Sequence, residues 1–483
     1  MFTISFADEL RARSDSALAL LFSLRPDLLT PVPPDISALS VRANSTPSLM
    51  RATENLNKFQ SDILLAAATL TQPFKRTELI AITSQKASAV LDFLIDSALI
   101  YQEGDLYRIP TNLLNLLGDS PAGLGPITGV KVTDKLLKDV PKDSLAVLEK
   151  LTWGPPRGSV SNIKSPGKAI GWLLENKILV AIDSQTVALP REVGMFLRGK
   201  KVFQDLQEVK PKLIGQSRKQ NDVDRAAIAN ISDLLRWCEE LAHNWSDEPP
   251  LALRAGGLGL RDLRRTSEHL GIDETCTAFV AELLYLAGLV VIDTDDSILP
   301  TSAFDIWITR SHEERWHNLV SLWLETSRVA GLIGKSDQKN TTPLGPELDR
   351  AGISSLRKKT INSLIDNPEI APTGESMESV IKWIAPARFN SDFVTWILRE
   401  AEWLGVTGQG AISSFGIALL TDADELGVES ALPKPVDHIL IQADNSAIAP
   451  GPLTVELANE LGTIADIESR GGATVYRFSE PSI

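Results

Sequence analysis

SDILLAAATLTQPFKRTELIAITSQKASAVLDFLIDSALIYQEGDLYRIP, residues 61–110, decides the fold. Ile63, Leu64, Ala67, Ala68 and Leu70 recur at helical spacing, and Pro73 then breaks the run. A second helix is predicted from near Thr77. Val90, Leu91, Leu94 and Ile95 mark a third. Two short runs, Leu99-Ile100-Tyr101 and Leu106-Tyr107-Arg108-Ile109, flank Glu103-Gly104-Asp105 and read as a β-hairpin. Three helices followed by a hairpin are the sequence form of a winged helix, a helix-turn-helix variant.

Outward from this stretch the pattern recurs. SLAVLEKLTWGPPRG, 144–158, opens a second copy, in which Trp153-Gly154-Pro155-Pro156 replaces the short middle helix by a loop. Ala169, Trp172, Leu173 and Leu174 form its next helix, and ILVAIDSQTVALP its hairpin. The third copy runs from about Ala226 to Leu299. It is followed by an amphipathic helix whose Trp316, Leu319, Trp323 and Leu324 are expected to bury against it. A fourth, about 352–421, has its wing reduced to Val406–Ile412. After residue 430 the character changes. VDHILIQADNSAIAP reads as two strands, LTVELANELGTIADI as a helix opened by Pro452, and ATVYRF as a returning strand turned in by Gly471 and Gly472. That strand is expected to pair with 438–448 and to pack on Leu457, Leu461 and Ile464.

The fold class is therefore mainly α with small β-hairpins: tandem winged-helix units followed by a small α+β domain. The expected boundaries are an N-terminal helical region at 1–56, winged helices at 57–130 and 131–200, and a basic linker at 201–225. A third winged helix with its amphipathic helix occupies 226–335, a fourth 336–430, and the α+β domain 431–483. A chain of 483 residues is too long for one core, which fits several units.

Composition narrows the function. The chain is 43% hydrophobic and 23% charged, ordinary for a globular protein, and no apolar run is long enough to span a membrane. Two cysteines, Cys238 and Cys276, argue against a disulfide framework or a cysteine metal site and fit a reducing cytoplasm. A net charge of −14 opposes broad attraction to nucleic acid but leaves room for a local basic face. Lys200, Lys201, Lys210, Lys212, Arg218 and Lys219 crowd one segment, and Arg261, Arg264 and Arg265 another. A solvated linker or helix surface accounts for these charges equally well. In the third helices, Lys86 with Gln85 and Lys168 with Lys164 are the candidates for DNA contact, whereas DETCTAFVAELLYLAG, acidic and apolar, is expected to be buried.

Catalytic motifs fail one by one. GLIGKS, 331–336, lacks the first glycine of a phosphate loop, since Val329 stands there, and it follows a helix rather than a strand. SPGKA has Asn162 in the first glycine's place and Ala169 in the hydroxyl's, and RAGGLGLRD lacks the GxGxxG spacing. His312 and His317 lie five apart, so they do not share the helical face that a zinc HExxH requires. Asp437, His438 and Ser446 lack a nucleophile elbow. No enzyme activity, cofactor or metal is expected.

RPDLLTPVPPDISALSVRA, LTWGPPRGSV, TVALPREVGMFLRG, GLGLRDLRR, REAEWLGVTGQGAIS, PVDHILIQADNSAIAPGPL and ADIESRGGATVYRF together resemble the actinobacterial helicase-associated-domain proteins. The terminal region is similar to the N-terminal domain of XPB-type helicases, a damage-recognition-like domain. The resemblance implies an accessory role in DNA repair or transcription, beside an XPB-type superfamily 2 helicase or the transcription machinery. It transfers no catalytic residue, because neither a phosphate loop nor a DExH box is present; DETC, 273–276, is no substitute. Family members continue past this strand, so the resemblance implies a chain that stops short. Arg470 and Arg477 are candidates for a phosphate or a partner carboxylate, with pairing to Glu468 and Glu480 the plain alternative. The rival overall reading is a protein-docking scaffold that never touches DNA.

Overall fold

The computed structural model describes residues 5–133, 139–334, 341–434, 436–451, 453–470 and 473–479. Contacts divide the chain into two compact units, 1–211 with 380–388, and 212–379 with 389–483. The chain is mainly helical with small antiparallel sheets.

The first unit opens with α1 (Phe6–Ala12), α2 (Asp15–Leu24), α3 (Ile36–Ala43) and α4 (Thr46–Glu54). Then come α5 (Lys58–Thr69), α6 (Arg76–Ile82), α7 (Ala87–Asp96), β1 (Tyr101–Glu103), β2 (Leu106–Arg108) and α8 (Thr111–Leu117). Asn57 and Gln60 form a reciprocal capping box that starts α5. Its Ile63 and Leu64 meet Leu79, Leu91 and Leu94 of the next two helices in one core. Gly104, at φ 64°, turns the hairpin, and Gln102 faces Tyr107 across it. Between α5 and α6 the backbone of Phe74 exchanges two hydrogen bonds with Tyr107, at 2.9 and 2.8 Å, and so adds a rudimentary third strand beside β2.

The same connectivity follows in α9 (Lys142–Trp153), β3 (Arg157–Ser159), α10 (Lys168–Glu175), β4 (Val180–Ala181) and β5 (Thr186–Ala188), before α11 (Arg191–Leu197). The sheet order is β3-β5-β4, so the strand after the first helix pairs with the second strand of the hairpin. As expected, the stretch after Trp153 is not helical; its prolines leave room for β3.

In the second unit, β6 (Gly215–Ser217) precedes α12 (Gln220–Asp247), α13 (Leu260–Leu270), α14 (Glu274–Leu286), β7 (Val290–Ile292) and β8 (Ile298–Pro300). Next are α15 (Ser302–Ile308), α16 (His312–Glu325), α17 (Ile353–Ile365), β9 (Ile370–Pro372) and α18 (Gly374–Ile384), whose residues from Val380 on belong to the first unit. They are followed by α19 (Ser391–Trp403), β10 (Thr407–Gly408), β11 (Ala411–Ile412), α20 (Ser414–Leu420) and α21 (Val428–Ala431). The stretch read as a basic linker, 201–225, holds β6 and the first turns of α12. That 28-residue helix buries one face, from Val223 through Ile231 and Leu235 to Trp245, and packs against α13, α14, α16 and α19. Trp316 and Trp323 of α16 are buried as expected, yet their indole N–H groups donate to the fourth repeat, to Leu404 O at 2.6 Å and Glu400 Oε2 at 2.7 Å.

The terminal domain is a four-stranded antiparallel sheet with one helix. It comprises β12 (Leu440–Ile441), β13 (Ser446–Ala449), α22 (Val455–Ile464), β14 (Asp466–Arg470) and β15 (Thr474–Arg477), in the order β12-β13-β15-β14. β15 pairs with β13 in the expected register region, Ala447 opposite Tyr476. Tyr476 packs with Leu461, Ala447 and Ala449, with Leu457 and Phe478 at the margin. Two expectations change. The helix ends at Ile464 rather than running through Ile467, because Asp466–Arg470 finds a hydrogen-bonding partner in β15. Ile464, expected in the core, is 44% exposed. Gly471, Gly472 and Pro452 lie outside the described residues.

Candidate nucleic-acid interface

Phosphate binding needs cations that are exposed and not already neutralised, so each candidate is placed by its partners. In the first unit, Lys86 sits just before α7 and its Nζ lies 3.1 Å from Glu208 Oε2. Lys200 and Lys201 follow α11, both exposed, with no ion pair among the described residues. Their segment runs beside α6, where Val202 N–H donates to Ile82 O at 3.4 Å. Lys164 and Lys168 are likewise exposed and without an ion-pair partner among the described residues.

In the second unit, Arg218 is half-buried. Its backbone N–H donates to Glu369 O at 2.7 Å and its Nη2 to Gln216 Oε1 at 2.7 Å, which ties it to the β6–β9 pairing. Lys219 is the exposed N-cap of α12. On α13, Arg264 pairs with Glu274 at 3.0 Å, and the hydrogen bond from that carboxylate raises its pKa. Arg265 reaches Glu248 at 3.4 Å and Asp262 at 3.5 Å, while Arg261 is exposed without such a pair among the described residues. Arg477 donates to both Glu468 oxygens, at 2.7 and 2.8 Å, and to Asp444 O at 2.8 Å. The plain reading of Arg477 as an ion-paired surface arginine therefore fits its geometry. The side chain of Arg470, and all of Glu480, lie outside the described residues.

Several basic residues that add to the charge count are internal struts. Arg25 is 1% exposed, and burial pulls its pKa down to about 10; it donates to Ala43 O and Ser48 Oγ. Arg198 is clamped by Thr152 O, Ala122 O, Gly123 O and Val202 O, with Trp153 beneath its guanidinium. Arg157, which sequence reasoning passed over, lies exposed on β3 and 3.2 Å from Asp119. A three-residue strand beside two prolines carries too little periodicity to have marked it.

Other motifs also find their places. His312 opens α16 and His317 is exposed on it. Ala330–Leu332 is a short 3-10 turn, and Lys335 and Ser336 lie outside the described residues. Cys238 and Cys276 are buried, and burial pushes the Cys276 thiol up to about 12 and that of Cys238 upward as well. Among the described residues, no group of three or more His, Cys, Asp or Glu could hold a metal ion, and no helix is long and apolar enough to cross a membrane.

The terminal sheet carries the comparison with known proteins. Residues 439–483 match the helicase conserved C-terminal domain. The matched stretch begins just before β12 and takes in the whole sheet and α22. No curated protein matches the chain. The terminal domain is thus similar to a helicase domain, which suggests a helicase-related role; the resemblance drawn from sequence pointed to helicases as well, through the N-terminal domain of the XPB type.

Proposed function

We propose that this protein is a non-catalytic, DNA-binding accessory factor that acts with an XPB-type helicase in DNA repair or transcription. The observation that carries the reading is the repeated connectivity of helix, short strand, helix or loop, helix and hairpin. It is seen in β3-β5-β4 and again where Phe74 pairs with Tyr107 and Leu251 with Ser297. Four such units are read as winged helices, a fold that presents a helix and a hairpin to a duplex. The helicase-like terminal domain supports a helicase as the partner. Lys164, Lys168, Lys200, Lys201, Lys219 and Arg261 are the DNA-contact candidates that the geometry leaves, Lys86 being paired to Glu208, and no catalytic step is assigned. The test is titration of labelled duplex DNA with the full chain at several salt concentrations. Phosphate contacts give a linear fall of log affinity with log salt, and no binding at low salt refutes the reading.

The net charge of −14 favours the second reading, a scaffold that docks only proteins. Helicase capture with no affinity for DNA would support it.

A further inference from the structure

The repeats differ in what their third helix and hairpin leave open. In the first, Lys86 is paired to Glu208, Arg76 is held by Asp92 of α7 at 2.5 Å, and the hairpin tip is Glu103-Gly104-Asp105. In the third, α14 is buried continuously from Cys276 to Leu284, and the hairpin tip carries Asp293, Asp295 and Asp296. The fourth has Asp392 in the first turn of α19, and its hairpin is packed away. A Cβ on Gly408 would lie 2.2 Å from Val223 O, and one on Gly405 2.5 Å from Ala227 O, both in α12. Only glycine permits that approach, and the exposed tip, Gln409 and Gly410, carries no cation.

The second repeat differs in its third helix and in its local charge. Leu173 alone is buried in α10, whose other apolar residues are half-exposed. Residues 139–201 hold ten lysines and arginines against six aspartates and glutamates, in a chain of net charge −14. The loop that replaces the middle helix is fixed to the hairpin, because Val160 N–H donates to Gln185 O at 2.8 Å and Ile163 N–H to Ser184 O at 2.9 Å. Lys164 N–H closes onto Asn162 Oδ1 at 2.9 Å. The next residue after the tethered Ile163 is therefore a lysine beside the hairpin turn, and Lys168 begins the helix. Among the described residues these two ammonium groups have no ion-pair partner, and they flank the half-exposed helix, one at its start and one by the hairpin. The one acidic group of that turn, Asp183, accepts from Gln185 N–H and Thr186, which hold its carboxyl below the ordinary aspartate value. It does not reach either lysine as an ion pair.

We propose that the second repeat, α9 to β5, is the part of the chain that contacts duplex DNA, with Lys164 and Lys168 as its phosphate-binding side chains. This rests on the DNA-binding reading above. Lysine is a point charge on a flexible stem, so the contact is to the backbone and independent of base sequence.

The test uses the full chain and a labelled 20-base-pair duplex, followed by fluorescence anisotropy between 50 and 200 mM salt (on the order of the range over which phosphate contacts dominate). Four proteins are compared: wild type, Lys164→Ala/Lys168→Ala, Lys164→Glu/Lys168→Glu, and Arg264→Glu/Arg265→Glu as a control whose arginines are already ion-paired. Circular dichroism and thermal melting establish that each is folded. The alanine pair should lower the salt slope by about 1–2, the glutamate pair should weaken binding by about tenfold or more at low salt, and the control should bind like wild type. Wild-type affinity and slope in the folded alanine pair overturn the assignment while leaving DNA binding intact. Preference of the lysine pair for single-stranded DNA or duplex RNA overturns the choice of ligand. No binding by wild type overturns the DNA reading itself.

Discussion

Removing the Glu282 carboxylate should unseat the loop that joins the third and fourth repeats. Glu282 on α14 is 3% exposed and accepts two hydrogen bonds from Arg328, Nε at 2.6 Å and Nη2 at 3.0 Å, and a further short one from Leu344 N–H. Arg328 also donates to Gly345 O at 2.8 Å and lies over the Tyr285 ring. Burial opposes its charge, and Glu282 more than offsets this, so its pKa sits above the ordinary arginine value. Glu282→Leu leaves a guanidinium with only carbonyl partners and the distant Asp349, 4.0 Å away, and orphans a backbone donor. Breaking a buried pair from one side costs about 3–5 kcal/mol. At roughly 2–4 °C per kcal/mol for a unit of this size, the calorimetric transition of the second unit should fall by about 6–20 °C. The double variant Glu282→Leu/Arg328→Met removes both charges. It should recover most of that loss, since an apolar replacement of a buried pair is often neutral. If the double variant is destabilised by the sum of the single effects, the two side chains do not act as a pair and the reasoning fails.

Three further outcomes are expected. Purified protein should release no phosphate from ATP with or without DNA, and turnover that disappears on Lys335→Ala would refute the non-catalytic reading. Tyr476→Ala should destabilise the terminal sheet by about 3 kcal/mol, read from hydrogen exchange of the β13 and β15 amides, and Phe478→Ala by less because Phe478 is only half-buried. Glu400 is buried, and that burial raises its pKa above the ordinary glutamate value of 4.5, against the pull of Arg357 and the Trp323 N–H. The folded state therefore holds the Glu400 proton to higher pH than the unfolded state does. Its contribution favours folding at low pH and is lost as pH rises from the ordinary value through the raised one. Glu400→Gln should remove this slope, so the melting temperature of the variant minus that of wild type should climb over that pH window; a flat difference refutes the assignment.

Sequence periodicity determined the local elements. Buried positions such as Ile63, Leu91 and Leu94 follow 3.6-residue spacing, hairpins turn at Gly104 and at 182–186, and Tyr476 sits inward on an alternating strand, because each pattern reports which face of one element meets water. The family resemblance of the terminal strings led toward helicases before the sheet was described. Long-range pairing had no such local signature. Phe74 and Leu251 form single β-bridges, and Arg157–Ser159 a strand, because a hairpin tens of residues later offers its edge, while Asp466–Arg470 leaves the helical pattern to pair with the strand that follows it. Which cations are available was also undetermined by composition. Arg198 and Arg264 carry the same charge as Lys168, but one is caged by four carbonyls, one is held by a carboxylate, and the lysine stands in water. Charge is a property of the residue, whereas its neutralisation depends on neighbours that only the folded chain brings near.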